Sequence, residues 1–347
     1  RAGRAAVTDT PRALDLSVVV VCYNERNNIA ACLDSVAGQE FSSGSFEVIV
    51  VDGDSSDGTL EIARARALRH PCIRVVVEPR KGTAVARNTG VRESRAPFVA
   101  FIDADCVAAP RWLSSLAAVF REARERDARV AAVGGPSLIP EGSPPFVEAL
   151  KLALNTWVGS GGRVTGMCHP RERFVDDLPS LNVIYERGLF DRIGFFDDRL
   201  ENEGEDADFS YRILTSGRKL LYSPLPVVYH RYRSTPLSWW RNMRRYGRAR
   251  GVLLVREPAM LNLHYLAPLL LLLGLAFSPL GLLWRPLLLP LVYLPAMAVT
   301  ACLASIRARR PARIPLVFAA LLLTHLGYGV GEIEGFSKIL AGKRRND

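Results

Sequence analysis

The stretch Pro97-Phe98-Val99-Ala100-Phe101-Ile102-Asp103-Ala104-Asp105 decides the fold class. An apolar run ends there in two carboxylates one residue apart. If the run is a strand that stops at Asp103, alternation of side chains with period two sets Asp103 and Asp105 on one face. Paired carboxylate oxygens suit a hard divalent cation, Mg²⁺ or Mn²⁺, which keeps several waters and is completed by substrate phosphates. A solvated acidic turn after a strand has the same appearance, so the neighbours of the motif have to decide.

Working outward, the same design recurs. Leu16 to Cys22 is a β-branched run followed by the polar turn Tyr23-Asn24-Glu25 and a helix-like stretch from Asn27 to Ala37. Phe46 to Val51 leads into a turn at Asp52 to Gly58 and a helix from Thr59 to Arg69, and Ile73 to Glu78 supplies a further apolar strand. Strands alternating with helices predict an α/β domain with a mainly parallel sheet covered on both faces. Ligands of such sheets bind beyond the carboxyl ends of the strands, near a switch in strand order. Asn24, Glu25, Asp52, Asp54, Asp103 and Asp105 all follow strands and converge on that edge. The first turn lacks the GxGxxG of a dinucleotide-binding dehydrogenase, and no Walker pattern occurs.

The chain has 347 residues, a net charge of +10 and 49% hydrophobic residues, unevenly spread. From Leu261 onward it is mostly Leu, Ala, Pro and Val. Leu261 to Leu283 carries no charged residue and has about the length needed to cross a bilayer core of roughly 30 Å; Pro286 to Ile306 is a second such stretch and Ile314 to Val330 a shorter third. Eight arginines between Arg231 and Arg256, with no acid among them, precede the first stretch. That position favours lipid headgroups over nucleic acid as their partner. The basic flanks place the α/β domain on the cytoplasmic side of a multi-pass cell-membrane protein, although Lys343, Arg344 and Arg345 would fall outside after three crossings. The expected division is a loose tail over 1–15, an α/β domain over 16–232, a basic amphipathic helix along the membrane surface over 233–260, two to three membrane helices over 261–335 and a basic tail over 336–347. The six cysteines show no metal-ligand rhythm and read as buried or idle thiols of a reducing compartment.

The series Val21-Cys22-Tyr23-Asn24-Glu25, Val51-Asp52-Gly53-Asp54-Ser55, Lys81-Gly82 through Ala86-Arg87-Asn88-Thr89-Gly90, and Asp103-Ala104-Asp105 resembles the family 2 glycosyltransferases. Ser180-Leu181-Asn182, Gly194-Phe195-Phe196-Asp197 and Gly204-Glu205-Asp206-Ala207-Asp208 extend the match, which covers roughly residues 16 to 232. The resemblance implies a GT-A fold, a nucleotide-diphosphate sugar donor, most often a UDP-sugar, a divalent cation and inversion at the anomeric carbon. It implies that Tyr23, Asn24, Glu25, Asp52 and Asp54 surround the nucleoside, that Lys81, Arg87 and Asn88 flank base and diphosphate, and that Asp103 faces the ribose or donor sugar. Asp105 would bind the metal, with Asp103 and His230 as further ligands; His230 at a strand end reads equally as a packed histidine. Asp206, beside Glu205, would be the general base and Asn182 a substrate contact, while acids at a helix start also favour the helix dipole. Arg241 and Arg244 are candidates for diphosphate or lipid phosphate. The chain is also similar to the succinoglycan-biosynthesis type of this family, which implies a lipid-linked saccharide as acceptor and membrane lipids as surroundings. Polyprenyl phosphate as acceptor, and a non-catalytic nucleotide-sugar-binding membrane scaffold, are the alternatives. The glycines around His325 would let helices pack closely.

Overall fold

The computed structural model describes residues 15–42, 44–164, 168–200, 204–232 and 234–343. The expected N-terminal tail, apart from Asp15, lies outside these residues, as do Arg233, Arg344 and Arg345.

β1 (Leu16–Cys22) is enclosed along almost its whole length, as its unbroken apolar sequence requires of a central strand. α1 (Ile29–Ala37) then buries Ile29, Cys32, Leu33 and Val36, one face of a 3.6-residue period. β2 (Phe46–Asp52), α2 (Thr59–Arg69), β3 (Ile73–Val77), α3 (Thr83–Glu93) and β4 (Phe98–Asp103) repeat the unit. β5 (Cys106–Ala108), α4 (Trp112–Arg126), β6 (Val130–Gly134), β7 (Ser137–Leu138), α5 (Pro145–Leu154) and α6 (Trp157–Ser160) follow. β8 (Arg173–Val175), β9 (Asn182–Glu186), α7 (Gly188–Ile193), α8 (Glu205–Thr215), β10 (Lys219–Tyr222) and β11 (Val228–His230) complete the α/β part.

The main sheet has the order β3-β2-β1-β4-β9-β6-β10-β8. The chain steps outward from β1 to β3 and returns to β4 on the other side of β1, which creates the switch point between β1 and β4. In this register Asp103 lies opposite Val21, and Cys22 opposite Asp52, so the polar ends of three strands share one edge. The sheet is parallel from β3 to β4 and between β6 and β10, but β9 runs antiparallel between β4 and β6 and β8 antiparallel to β10. The sheet is therefore more mixed than strand–helix alternation predicted. β9 enters after the excursion through α5 and α6, which returns the chain from the opposite end. One core lies on the face under α1 and α4 and a second on the other face, where Phe101, Tyr185, Phe190, Phe196 and Phe209 interlock. β7, β11 and β5 form a small second sheet that carries His230 back beside the turn after β4.

Beyond it come α9 (Pro236–Arg256), α10 (Ala267–Phe277), α11 (Tyr293–Arg307) and α12 (Ile314–Lys343). Two helical stretches, Arg285–Arg307 and Pro311–Ile339, are long and apolar enough to cross a membrane, whereas Ala267–Gly281 is shorter. Pro268 and Pro279 sit in the first turns of short helical pieces, which is why the expected first segment breaks up, and Pro286 and Pro290 do the same at the start of the second. α9 is not a helix lying free along a surface. A Cβ built on Gly247 would meet Tyr328 O at 2.0 Å, one on Gly331 would meet Arg244 O at 2.0 Å, and one on Gly335 would meet Arg248 O at 2.3 Å. Small residues at every fourth position thus let α9 and α12 run side by side in backbone contact. Gly331→Leu is expected to destabilise the solubilised protein by about 3 kcal/mol or more, because neither backbone can yield, and Gly331→Ala by less. A melting temperature unchanged by the leucine would refute the contact.

Candidate active site

Four local features shape the site. Asn24 (φ 54°) and Asp54 (φ 60°) adopt the left-handed conformation that turns the chain sharply after β1 and β2. The Asn24 Oδ1 accepts from the Ser56 amide at 3.0 Å and the Asn24 amide donates to Ser55 Oγ at 2.9 Å, tying the two turns together. Asp52 is fully buried and accepts from the Ser55 amide (2.8 Å) and hydroxyl (2.7 Å). Lys81 donates from Nζ to Gly53 O at 2.8 Å and Asp54 O at 3.1 Å and lies 4.7 Å over the Tyr23 ring.

A cavity of about 830 Å³ opens at this edge. Its polar end is lined by Tyr23, Glu25, Gly53, Lys81, Asp103 and Asp105. His230 and Arg231 follow, then Arg163 and Arg245. The other end is aromatic and apolar, with Trp157, Trp239, Tyr265, Tyr293 and Tyr328 along its walls. There the Trp239 Nε1 donates to Thr324 Oγ1 at 2.9 Å, and Tyr293 Oη meets His325 Nε2 at 2.9 Å. One cavity thus runs from the ends of the parallel strands to the C-terminal helices.

Asp105 and His230 face each other across the two sheets, Oδ2 to Nε2, at 3.2 Å. Carboxylate oxygen and imidazole nitrogen are both competent ligands, and the pair could hold a divalent cation on the cavity wall. Cys106 is near enough to complete a geometric cluster with them. Burial, with Asp105 and Asp103 adding to it, pushes its thiol well above the ordinary range, and Cys106 packs as a buried residue of the core under α1 and α4. All six cysteines are free, and Cys168 is exposed.

Arg87 is placed otherwise than the resemblance implied. It is buried on α3 and does not line the cavity; it donates from Nη2 to Asp103 Oδ1 at 2.9 Å and from Nη1 to Glu205 Oε1. It joins β4 to the start of α8 through a buried ionic bridge. Glu205 is therefore spent on Arg87. Asp206, half-buried beside it, accepts from the Ala207 amide at 2.8 Å. Burial, reinforced by Glu205 and Asp177 and opposed by Arg87, pushes its carboxyl up to about 7. Asp206, like Arg87, is not among the residues that line the cavity, whereas Tyr246, on which the charges of Asp206 and Asp105 act, is.

Other expected contacts also turn away. Asn182 is fully buried, accepts from Trp112 Nε1 at 2.8 Å and donates to Pro136 O and Pro226 O at 3.0 and 2.7 Å. Asn88 clamps Phe196 through both its backbone groups, at 2.9 and 3.0 Å. Arg241 is exposed outside the cavity, and Arg244 pairs with Glu334 of α12. On α9 the cavity face is instead Trp239, Asn242, Met243 and Tyr246, with Arg245 beside them. Their spacing of three and four residues is the signal that could have selected this face; Trp157 and Arg163 carry none.

The sheet, its switch point and the acidic turn at the end of β4 define a GT-A fold. The crystal structure of the mannosyltransferase PcManGT from Pyrobaculum calidifontis, in complex with GDP-Man and Mn²⁺, shares it at a TM-score of 0.59 and 20% identity, over 95% of this chain and 91% of that one. Residues 17–138 match the profile of glycosyl transferase family 2, and residues 98–326 match that of glycosyl transferase family group 2. The chain belongs to the family 2 glycosyltransferases. It spans half or less of the length of its more identical relatives; the pre-mycofactocin glycosyltransferase of Mycobacterium tuberculosis is 30% identical over 253 residues, 72% of this chain and 49% of its own. The dolichyl N-acetyl-alpha-D-glucosaminyl phosphate 3-beta-D-2,3-diacetamido-2,3-dideoxy-beta-D-glucuronosyltransferase of Methanococcus voltae is 23% identical over 93% of this chain and 98% of its own. The succinoglycan biosynthesis protein ExoA of Rhizobium meliloti is 27% identical over 73% and 74%.

Proposed function

We propose that this chain transfers a sugar from a nucleotide diphosphate to a lipid-linked saccharide at a membrane surface, with inversion at the anomeric carbon. The observation that carries the reading is the two-ended cavity. Its polar end suits a nucleoside diphosphate and its aromatic end suits sugar rings and an apolar carrier. The name of the Methanococcus voltae relative, which acts on a dolichyl-linked sugar phosphate, supports the acceptor class.

In this reading Tyr23 and Lys81 hold the base, with Glu25 accepting from its donors, and Asp103 faces the ribose or donor sugar. Asp105 and His230 would hold a divalent cation, Mg²⁺ or Mn²⁺, which when bound neutralises charge on the leaving diphosphate as a Lewis acid. Arg231 and Arg245 add fixed positive charge along the same wall. Asp206, next to the lining residue Tyr246 and not itself on the cavity wall, is assigned the proton of the acceptor hydroxyl as the hydroxyl oxygen bonds to the anomeric carbon and the bond from that carbon to the diphosphate oxygen breaks. Asp52, Asn24, Arg87, Asn88 and Asn182 act by holding loops and strands in place.

The decisive assay follows release of nucleoside diphosphate from UDP- and GDP-sugars by the protein in liposomes, with and without a polyprenyl-lipid extract. Release that needs both lipid and metal supports the reading; metal-dependent donor binding without turnover under every condition would favour a scaffold. Asp105→Ala and His230→Ala are each expected to weaken Mn²⁺ binding by roughly 10- to 100-fold, read from the spectrum of free Mn²⁺ without any assay of turnover. Equal affinity in both variants would remove the pair as the metal site.

A further inference from the structure

Length and composition alone would drive α12 through the bilayer. Its contacts run otherwise. Where α12 begins, Arg313 donates from Nη1 to Pro145 O at 3.0 Å, at the first residue of α5. Val317, Ala320 and Leu321 then share one buried cluster with Phe146, Leu150 and Leu154 of α5, and with Leu271 of α10 and Met297 and Ala301 of α11. A turn later Thr324 accepts from Trp239 of α9 at 2.9 Å, and from there Gly327, Gly331 and Gly335 follow α9 in backbone contact. Glu334 closes the seam by pairing with Arg244 and Arg248. From 313 to 335, about 33 Å at the helical rise, α12 touches α5 or α9 at every stage.

α9 is in turn fixed to the α/β domain at both ends. It starts six residues after His230, and at its far end Leu253 packs with Leu200 and Ala207 while Arg256 reaches Asp197 Oδ2 at 3.3 Å. A helix held to the same domain at its start and along its length has no room to cross a bilayer away from that domain. Arg307, Arg309 and Arg310, all exposed just before α12, match the charge of an anionic headgroup layer, and Leu316 and Ile333 leave apolar surface open beside it.

We propose that α12 lies in the plane of the membrane on the side of the α/β domain, docked on an anionic lipid surface, so that the chain ends on the side on which its sugar-nucleotide site lies. This placement also makes Thr324, His325 and Tyr328 the floor of the aromatic end of the cavity, at the level where a lipid-borne head group arrives. It removes the conflict that three crossings create for the basic C-terminal residues. The inference rests on the membrane attachment proposed above.

The test uses the full chain with an epitope tag after Asp347, in sealed vesicles of both orientations. Exposed Cys168, alkylated by a membrane-impermeant maleimide against a Cys168→Ser background, reports the side of the α/β domain. Added protease is expected to remove the tag only in the vesicles in which Cys168 is alkylated. Arg310→Cys and Ser337→Cys, exposed positions just before α12 and late in it, are both expected to be alkylated in those same vesicles; alkylation of the Arg310 site only where Cys168 is protected would show that α12 itself crosses and would overturn the proposal. Removal of the tag only where Cys168 is protected would overturn the proposal and establish a crossing. Release of the protein by alkaline carbonate would instead overturn the membrane attachment itself.

Discussion

Asp206→Asn is expected to lower turnover by about 10³-fold while leaving donor affinity within about twofold, because a positioned base contributes roughly 10²- to 10⁴-fold and the amide keeps the shape. Glu205 is committed to Arg87, and Asp103 accepts from the other arm of the same guanidinium. Asp206 accepts from the Ala207 amide and has its carboxyl raised to about 7. A base so poised is protonated in acid, so kcat/KM of the wild-type enzyme should rise with pH through about 7 and level above it. The effect on stability has the opposite sign. The folded state holds this proton more tightly than an unfolded chain does, so folding loses stability as pH rises from the ordinary carboxyl range through about 7. Asn, neutral throughout, should therefore raise the melting temperature at pH 8 and give no gain at pH 4. Substantial residual turnover in Asp206→Asn would exclude a hydroxyl nucleophile that needs this base and would favour a phosphate oxygen of polyprenyl phosphate, which has no proton to give up. A lower melting temperature at pH 8 would exclude the buried acid as described.

The parts of the site that were legible in the sequence are those fixed by local structure. Asp103 and Asp105 could be placed because the turns after β1 and β2 repeat the same strand-to-polar-turn design on one sheet edge, which a solvated acidic turn by itself would not explain. Parallel order from β3 to β4 followed from strand–helix alternation. What could not be read depends on distant partners. Arg87 reads as a phosphate ligand until Glu205, 118 positions away, is seen to take one of its arms. Arg244 is equally convincing until Glu334 is placed against it. Asn88 and Asn182 sit in motifs of the family, yet the bonds they make hold backbone at Phe196, Pro136 and Pro226. The direction of β9 could not be read because a short buried strand looks alike in both senses. Length and hydropathy likewise cannot tell a helix that crosses a bilayer from one that glycine contacts bind flat against a neighbour, and α12 has both properties.

Arg87→Met should produce the largest loss of stability of any substitution at the sheet edge, about 3–5 kcal/mol, since it strands a buried carboxylate without its partner. Arg87 and Glu205 side chains are each only 5% exposed, so Glu205 cannot recover hydration when the guanidinium leaves. Asp103 is 29% exposed and can, which makes Glu205 the source of most of the penalty. The double variant Arg87→Met with Glu205→Gln removes both charges together and should recover a large part of the loss, because an uncharged pair of similar volume carries no ionic desolvation. Arg87→Lys should fall between, since one ammonium cannot serve two carboxylates in the fork geometry of a guanidinium. Denaturant unfolding of the solubilised chain measures all three. If the double variant is no more stable than Arg87→Met, the packing of the long side chain and not the ion pair holds β4 to α8, and Arg87 would stabilise the edge as a spacer. If the double variant folds well and still binds donor, the bridge matters for the placement of Asp103 and Asp206 only through stability. Recovered folding with lost turnover would instead show that this buried charge sets the position of Asp206 from behind the cavity.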